Sequence, residues 1–481
     1  MLSGTESLPH PEIAGLLGPQ LTAEQARLIY DAGADAVIFA LLTLARQTAL
    51  QAQPPSAAGA DPSRPSGQTP TYLKPIGKRR RKSPGAKTGH PGRRRATPEP
   101  NAFVTHSLDA CPECGGSVTR LPSTRTRIVE DIPEGIAPVV TEHTIPRYYC
   151  KTCGKSVEPT VPDALPGSQM GSKVVVLSAW LHYLLGTTLG QILDVFNFHL
   201  SFPLTSGGLV QAWHRLREVL QPWYLEIEMA AKASAVLHAD ETGWRVNGKT
   251  HWLWCFTNAD ATYYHIDPGR GQAVVKKFFK KAYAGVLVTD FWGAYNAIAC
   301  AKKQKCLPHL LRDLKRTTKY HKPGGDWPSF AKRLKRLIRD SLHLQKSRGE
   351  LTNESFASRR HRLQRRLDAL IDATWEQKHA RRLVKRLRRH RRELLTFLDV
   401  AGVPPDNDHG EREIRPAVIM RKNSYANGSQ EGATTQAVLM SIFRTLKRRG
   451  HDPIRTVINA LRTYLKTGHL PPLPSKITAN G

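Results

Sequence analysis

Three acidic residues that lie far apart along the chain are the side chains best suited to chemistry: Asp240, Asp290 and Glu411. Carboxylates are hard anionic oxygen donors, and three of them converging on one point make a holder for a hard divalent cation. A second set is made of cysteines, in Cys111-Pro-Glu-Cys114-Gly and Cys150-Lys-Thr-Cys153-Gly. Two tight turns that each present a thiolate pair complete a tetrahedral zinc site, with a glycine relieving the backbone after each pair. No ligand position is left open in such a site, so it holds a small module together rather than doing chemistry. A disulfide or redox use of the pairs is the competing reading, and the doubled CxxC spacing favours zinc.

The elements that must position the acids can be read from patterning. Residues 235–246 read as a long strand with Asp240 in its middle, Asn247-Gly248 suits a two-residue hairpin turn, and residues 251–256 read as an aromatic second strand. Residues 262–266 make a third strand, closed by Asp267-Pro268-Gly269, and a short helix follows over 272–281. The strand over 286–289 delivers Asp290 at its carboxyl end. A short helix over 294–299 and a short strand near Cys306-Leu307 complete the order β-β-β-α-β-α-β. With one acid inside the first strand and one at the tip of the fourth, this order describes an α/β, ribonuclease-H-like mixed sheet. Side chains alternate across a strand, so Asp240 shares a face with Val236, His238, Thr242 and Trp244, while Glu241 looks the other way with Leu237, Ala239 and Arg245. The two neighbours therefore cannot both serve one metal. Periodicity alone leaves the catalytic face open; Asp240 is preferred as the first acid after the apolar run.

Composition bounds the class. A chain of 481 residues is long enough for about two to four domains. Its formal net charge of +31 and pI near 10.1 point to a polyanionic partner. The most apolar stretch, residues 36–45, is about half the length of a membrane span, and no signal-peptide pattern opens the chain. Seven cysteines, four of them in the two pairs, fit a reducing compartment. The expectation is a cytoplasmic nucleic-acid-binding protein with no membrane partner.

Residues 1–51 form an N-terminal helical region. Leu28, Ile29, Ala32, Ala36, Phe39 and Leu42 recur at three- and four-residue spacing over 21–51, suiting either a pairing helix or one packed on its own domain. Clean heptads are missing, so a coiled coil does not follow. Residues 52–100, rich in Pro, Gly, Ser and Ala, read as an extended basic linker. It carries Lys78, Arg79, Arg80, Arg81 and Lys82, then Arg93, Arg94 and Arg95. Spaced cations on a tether suit sequence-tolerant contacts to DNA phosphates, and a merely solvated linker is the alternative. Residues 101–165 hold the four-cysteine module, with strands expected over 125–129 and 139–145 as the body of a zinc ribbon. Residues 172–233 read as a helical support with Trp180, Leu181, Tyr183, Leu184 and Leu185 in its core.

The catalytic domain is expected over 234–327 and 401–432, interrupted by a basic helical insertion over 328–400. Three amphipathic stripes mark the insertion: Phe330, Leu334, Leu337, Ile338 and Leu342; Leu363, Leu367, Leu370, Ile371 and Trp375; Val384, Leu387, Leu394 and Leu398. Pro404-Pro405 ends it, and Asp408 is placed to cap a helix carrying Glu411, Arg412 and Arg415. Local spacing reads Glu411 two ways, as a metal ligand or as the far end of an Asp408-x-x-Glu411 capping box paired with Arg415. Glu413 points to a different side of that helix. Arg421, Lys422, Asn423 and the Asn427-Gly428 turn suit a backbone phosphate. His238, His309 and Asp313 read as packing or supporting groups. Residues 433–481 close the chain with helices over 434–449 and 453–466, ended by Gly450 and Gly468.

These blocks resemble the transposases of the insertion sequence 66 family, members of the DDE group. The resemblance covers nearly the whole chain: the helical start, GAKTGHPGRRR, the doubled CxxC, HADETGWRVNGKTHWLWCFTN, GVLVTDFWGAYNA followed by KCLPHLLRDLK, and PPDNDHGEREIRPAVIMRKNSYANGS. It implies that Asp240, Asp290 and Glu411 are the catalytic acids and hold two Mg2+ (or Mn2+) ions, with Asp240 bridging. The implied activity is metal-dependent cleavage at the ends of a bacterial insertion sequence and strand transfer into target DNA by 3′-hydroxyl attack. One structural Zn2+ on Cys111, Cys114, Cys150 and Cys153, a homo-oligomer on paired ends, accessory proteins of the same element and a nucleoid location are implied with it. Asp408 and Gly410 stand where the family more often has Asn and a small helix former, and Glu413 adds an acid. Two other functions share these features: a transposase-derived DNA-binding protein without catalysis, which the intact acids disfavour, and a structure-specific nuclease on the same fold that cuts without joining.

Overall fold

The structure is a computed structural model and describes residues 22–34, 36–38, 40–41, 99–101, 103–123, 125–129 and 136–477. The basic runs at 78–82 and 93–95 lie outside the described residues. In the N-terminal unit, helix α1 (Ala23–Asp31) starts on a reciprocal cap: the Thr22 hydroxyl accepts from the Gln25 backbone, and the Gln25 side chain accepts from the Thr22 backbone. Gly33, at φ 98°, breaks the helix before it resumes at Ala34. The helix expected over 21–51 is therefore in two pieces where it is described.

Five strands form one mixed sheet: β3 (Val236–Val246), β4 (Lys249–Thr257), β5 (Thr262–Asp267), β6 (Tyr283–Thr289) and β7 (Cys300–Lys305), in the spatial order β5-β4-β3-β6-β7. β3, β4 and β5 are an antiparallel meander, while β6 and β7 run parallel to β3. The hairpin between β3 and β4 turns on Asn247 and Gly248, both at positive φ (47° and 70°), as a primed turn requires. The last strand lies over 300–305, so the strand expected near Cys306-Leu307 is corrected: those residues lead into a helix. Its sequence, CAKKQK, is polar for two reasons: Lys302 is exposed at the sheet edge, where a lysine discourages further pairing, and Gln304 and Lys305 are buried with polar partners, the Leu394 and Phe397 backbone and the Asp290 carbonyl.

Each face of the sheet is covered. On one, Leu237, Ala239, Trp254 and Phe256 pack with α4 (Ser206–Lys232) and with α5 (Gln272–Phe279), which bridges β5 to β6. On the other, Trp244, Val246, Leu253 and Cys255 meet Ile414, Ala417 and Met420 of α10 (Asp408–Ser424). α11 (Gln430–Arg448) and α12 (Pro453–Thr467) complete the support together with α2 (Ser172–Tyr183) and α3 (Leu189–Asp194). In the helical support Tyr183 and Leu184 are buried and Trp180 and Leu181 partly so, but Leu185 is exposed, just before the Gly186 turn. The insertion is helical as expected. After α6 (Leu307–Tyr320), helices α7 (Trp327–Lys346), α8 (Asn353–Asp372) and α9 (Lys378–Arg389) carry most of the three stripes, with Trp375 just past α8 and Leu394 and Leu398 past the end of α9. All are buried in one core with Val286 and Val288 of β6 except Leu342, which is partly covered.

The cysteine module contains one described hairpin, β1 (Tyr148–Cys150) with β2 (Lys155–Val157), wrapped around the second CxxC. The strands expected over 125–129 and 139–145 do not form. Those stretches find no partner ladder, and without one an extended chain has no hydrogen bonds to hold it as a strand.

The backbone of β6 approaches the start of β3 closely at Gly285. A Cβ there would run into the Tyr283 ring and the Ser234 carbonyl, which are hydrogen-bonded to each other. Gly285→Ala is expected to cost about 1–3 kcal/mol, read from urea unfolding followed by tryptophan fluorescence. An unchanged midpoint would mean that Tyr283 swings away freely.

Candidate active site

The parallel register between β3 and β6 sets the first two acids. The pairing ends at His238 and Val288; Asp240 lies two residues further along β3, and Asp290 follows directly on Thr289, the last residue of β6. By alternation Asp240 shares the face of Trp244 and Val246, which pack on α10. Asp240 Oδ1 accepts from the Glu241 N–H at 2.9 Å, and Asp290 Oδ1 accepts from the Trp292 N–H at 2.8 Å. Burial pushes the Asp240 carboxyl well above the usual range, and the charges of Glu241, Asp290 and Glu411 push it the same way. This is a pocket short of positive charge, and its oxygen donors fit Mg2+ or Mn2+. Behind Asp290 lies Lys305, fully buried, whose ammonium donates to Thr289 Oγ1 and to the Asp290 carbonyl, both at 3.0 Å. Burial lowers its pKa to about 8.

Glu411 sits in the first turn of α10, at the edge of this pocket. Its Oε1 accepts from Arg312 at 2.8 Å and lies 3.8 Å from His309 Nδ1. Ligand atoms of Glu411, His309 and Cys306 fall within 4.8 Å of one another, whereas those of Asp240, Asp290 and Glu411 do not form such a group. Burial pushes the Cys306 thiol up to about 12, and the sulfur accepts from the Asn407 N–H, so it stands there as a neutral packing group rather than a thiolate ligand. The capping box is not formed. Asn407, not Asp408, occupies the cap position, and Glu411 is engaged by Arg312 instead of Arg415.

Asn407 is the residue that sequence reading missed. It is buried, and its amide donates to the Ala239 carbonyl at 3.0 Å and contacts His238 Nδ1 at 3.0 Å. Burial pushes His238 down to about 4, so its neutral ring donates that second bond. The Asn407 backbone N–H donates to Cys306 Sγ at 3.3 Å, and its carbonyl accepts from the Glu411 N–H at 2.9 Å. Cys306 in turn donates its N–H to the Thr289 carbonyl at 2.9 Å. Through these bonds Asn407 ties Ala239, the neighbour of Asp240, to Glu411 itself, and through Cys306 to Thr289, the neighbour of Asp290. Gly410 lies against this amide: a Cβ there would stand 3.0 Å from both amide atoms of Asn407.

Other expected groups take other roles. Glu241 faces away from α10, as alternation requires, where Arg270 (3.0 Å) and Tyr295 bind it. Its pKa is pushed up to about 7 by burial and by Asp290, against the pull of those two partners. Glu413 is buried with Arg444 and Arg448 of α11, so the extra acid is a packing ion pair. Arg421 donates to Thr242 Oγ1 and the Gly243 carbonyl of β3, and Asn427 accepts from Trp244 Nε1 and pairs with the Arg245–Asn247 backbone. Both were expected to face a phosphate and instead clamp α10 to the sheet. Arg412, Arg415 and Lys422 are exposed. Asp313 is paired with Arg386 of the insertion.

In the cysteine module, each CxxC closes a turn with a left-handed glycine after it, Gly115 at φ 72° and Gly154 at φ 63°. Backbone N–H groups of Glu113 and Cys114 lower the pKa of Cys111, and those of Cys153 and Thr152 lower that of Cys150. Donors aimed at sulfur favour the thiolate, which is what zinc takes. The two pairs are formed separately and do not gather into one group of ligand atoms.

Comparison with known proteins agrees with this layout. Residues 167–435 match the family described as Transposase IS66 family, and residues 109–154 match that described as zinc-finger binding domain of transposase IS66. The second match spans all four cysteines and supports a zinc ion there. Three curated proteins of Sinorhizobium fredii are similar. The uncharacterized protein y4qI is 26% identical over 289 residues, 50% of this chain and 51% of y4qI. The uncharacterized proteins y4jD and y4hP are each 22% identical, over 76% of both chains and over 74% and 70% respectively. The chain thus spans about half the length of y4qI. No described helix is long and apolar enough to cross a membrane.

Two outcomes test this geometry. The folded Asp240 carboxyl holds its proton more tightly than the unfolded chain does. Metal-free protein should therefore lose stability as pH rises from the ordinary carboxylate range toward the raised value. Asp240→Asn is expected to flatten that loss in EDTA melts and to abolish the gain from Mg2+, about 2.7 kcal/mol for wild type at a hundredfold excess over Kd. Equal pH profiles for both proteins would place the effect elsewhere. At Gly410, helix propensity alone would make alanine stabilising by about 1 kcal/mol. Gly410→Ala is instead expected to destabilise, and Asn407→Ala to cost about 1–3 kcal/mol through the unpaired Ala239 carbonyl and His238, both read by urea titration.

Proposed function

Because the chain belongs to the IS66 transposase family, we propose that it is a DDE-type transposase that cuts DNA at the ends of a bacterial insertion sequence and joins the freed ends to target DNA. The observation that carries this reading is the parallel pairing of β3 with β6, with Asp240 in β3 and Asp290 just past the end of β6, and the charges of Asp290 and Glu411 both reaching Asp240. The strand order β5-β4-β3-β6-β7, with an acid in the first strand and another after the fourth, is what a ribonuclease-H-like sheet calls for.

Asp240, Asp290 and Glu411 would hold two Mg2+ or Mn2+ ions. When bound, such a pair activates the attacking oxygen and stabilises the leaving one. The rest falls to the chain. Asn407 and Lys305 hold the backbone beside the acids, so the donors are set before substrate arrives. Arg312, exposed and adjacent to Glu411, presents a guanidinium to an approaching phosphodiester. In cleavage, water attacks phosphorus, the P–O3′ bond breaks, and a 3′-hydroxyl is released. In joining, that hydroxyl attacks a target phosphorus and a target 3′-hydroxyl leaves. Both are in-line displacements, so one site serves both.

The zinc module, the basic linker and exposed Arg412, Arg415 and Lys422 would supply phosphate contacts, in keeping with the net charge of +31. Paired ends call for a homo-oligomer, accessory proteins of the element are candidate partners, and a bacterial cytoplasm with its nucleoid is the setting.

Alanine at Asp240, Asp290 or Glu411 is expected to lower Mg2+-dependent cleavage of element-end DNA by about a thousandfold or more, with gel-shift affinity nearly unchanged. An equal loss of binding would make the acids structural. Pre-cut ends that fail to join would leave a nuclease.

A further inference from the structure

We propose that the indole of Trp292 is a stacking platform for an unpaired nucleobase adjoining the phosphodiester at Asp290, an inference that rests on the DNA-cutting function above. Of the nine tryptophans, the other eight are buried or half-buried, and Trp292 alone is exposed, at 36%. It stands two residues beyond Asp290, and its backbone N–H donates to that carboxylate at 2.8 Å. A group resting on this ring is therefore next to the atoms that would bind the scissile phosphate.

The ring is held in place from behind. Its Nε1 donates to the Arg270 carbonyl at 3.2 Å, and the Arg270 guanidinium lies 3.9 Å from its centroid. The same guanidinium lies 4.2 Å from the Trp252 centroid, so Arg270 is in contact with both indoles. Glu241 locks the Arg270 guanidinium through Nε at 3.2 Å and Nη2 at 3.0 Å, and its side chain is 2% exposed. Tyr295 secures the other oxygen of Glu241. A buried acid on the face of β3 away from α10 thus finds its purpose: it fixes the arginine on which the exposed indole rests.

An exposed indole, anchored through its Nε1 and by a guanidinium, offers its open surface to another plane. Every nucleobase has a π-face, and stacking of a base on an aromatic side chain is tolerant of sequence. A base inside a duplex has both faces covered by its neighbours, so the occupant must be unstacked, as at a frayed or freshly cut end. The bland alternative is that Trp292 only shields the Arg270–Glu241 pair from water.

Full-length wild type, Trp292→Ala and Trp292→Phe would be bound in EDTA to element-end duplexes carrying 2-aminopurine at the nucleotides flanking the cut. Emission from one flanking position is expected to be lower on wild type and Trp292→Phe than on Trp292→Ala. Cleavage in Mg2+ should fall about five- to a hundredfold for Trp292→Ala and be largely kept by Trp292→Phe. An abasic nucleotide at that position should bring wild type down to the Trp292→Ala rate and remove any further effect of the substitution. Equal emission on wild type and Trp292→Ala, or an undiminished effect of the substitution on abasic DNA, would overturn the platform and leave a shield. In either case intact wild-type cleavage shows that the function itself stands. Absence of metal-dependent cleavage by wild type would overturn that function and the platform together.

Discussion

Negative charge crowded into a half-buried pocket is the constraint around which this protein is arranged. The strongest charges acting on Asp240 are the carboxylates of Glu241, Asp290 and Glu411, and burial amplifies each of them. Cations stand at the margins: Arg270 on Glu241, Lys305 behind Asp290, Arg312 on Glu411. On the function proposed, the centre would take a divalent cation. A pocket that strains the empty protein is one in which a divalent ion gains the most, so cost in the fold and affinity for metal are one quantity seen from two sides.

Such a pocket must be held open against repulsion, and the frame that does so is built from ordinary bonds one residue removed from the acids. Asn407 reaches Ala239 with its amide, Cys306 with its N–H and Glu411 with its carbonyl, and Cys306 reaches Thr289. No carboxylate oxygen is consumed by this frame. Two further residues of α10 belong to the same architecture. Gly410 leaves room for the Asn407 amide, and Glu413 fastens α10 to α11 through Arg444 and Arg448.

Legibility along the sequence followed physical cause. β3 to β5 were readable because half-covered strands alternate, and their aromatic residues have few other homes. β7 was misplaced because an edge strand of lysines carries no apolar signal. The insertion was plain from its stripes, since three amphipathic helices have to bury them together. The cap was put at Asp408, one residue late, because an asparagine and an aspartate are equally good caps on paper. Arg421 and Asn427 looked like phosphate ligands for the same kind of reason: a polar residue on a basic helix shows its chemistry in sequence, but not its partner.

The sequence by itself determined the types and spacing of the acids, the doubled CxxC, the order of the strands and the family. These are carried by local composition and periodicity, which a chain displays before it folds. Tertiary structure alone decided that Asp240 and Asp290 feel each other's charge, that Glu411 is engaged by Arg312, that Glu241 turns away to anchor Arg270 beside Trp292, and that Asn407 joins the three acid-bearing segments. Each of these is a pairing between residues distant in the chain. Such pairings depend on strand register and helix packing, which no local window of sequence contains.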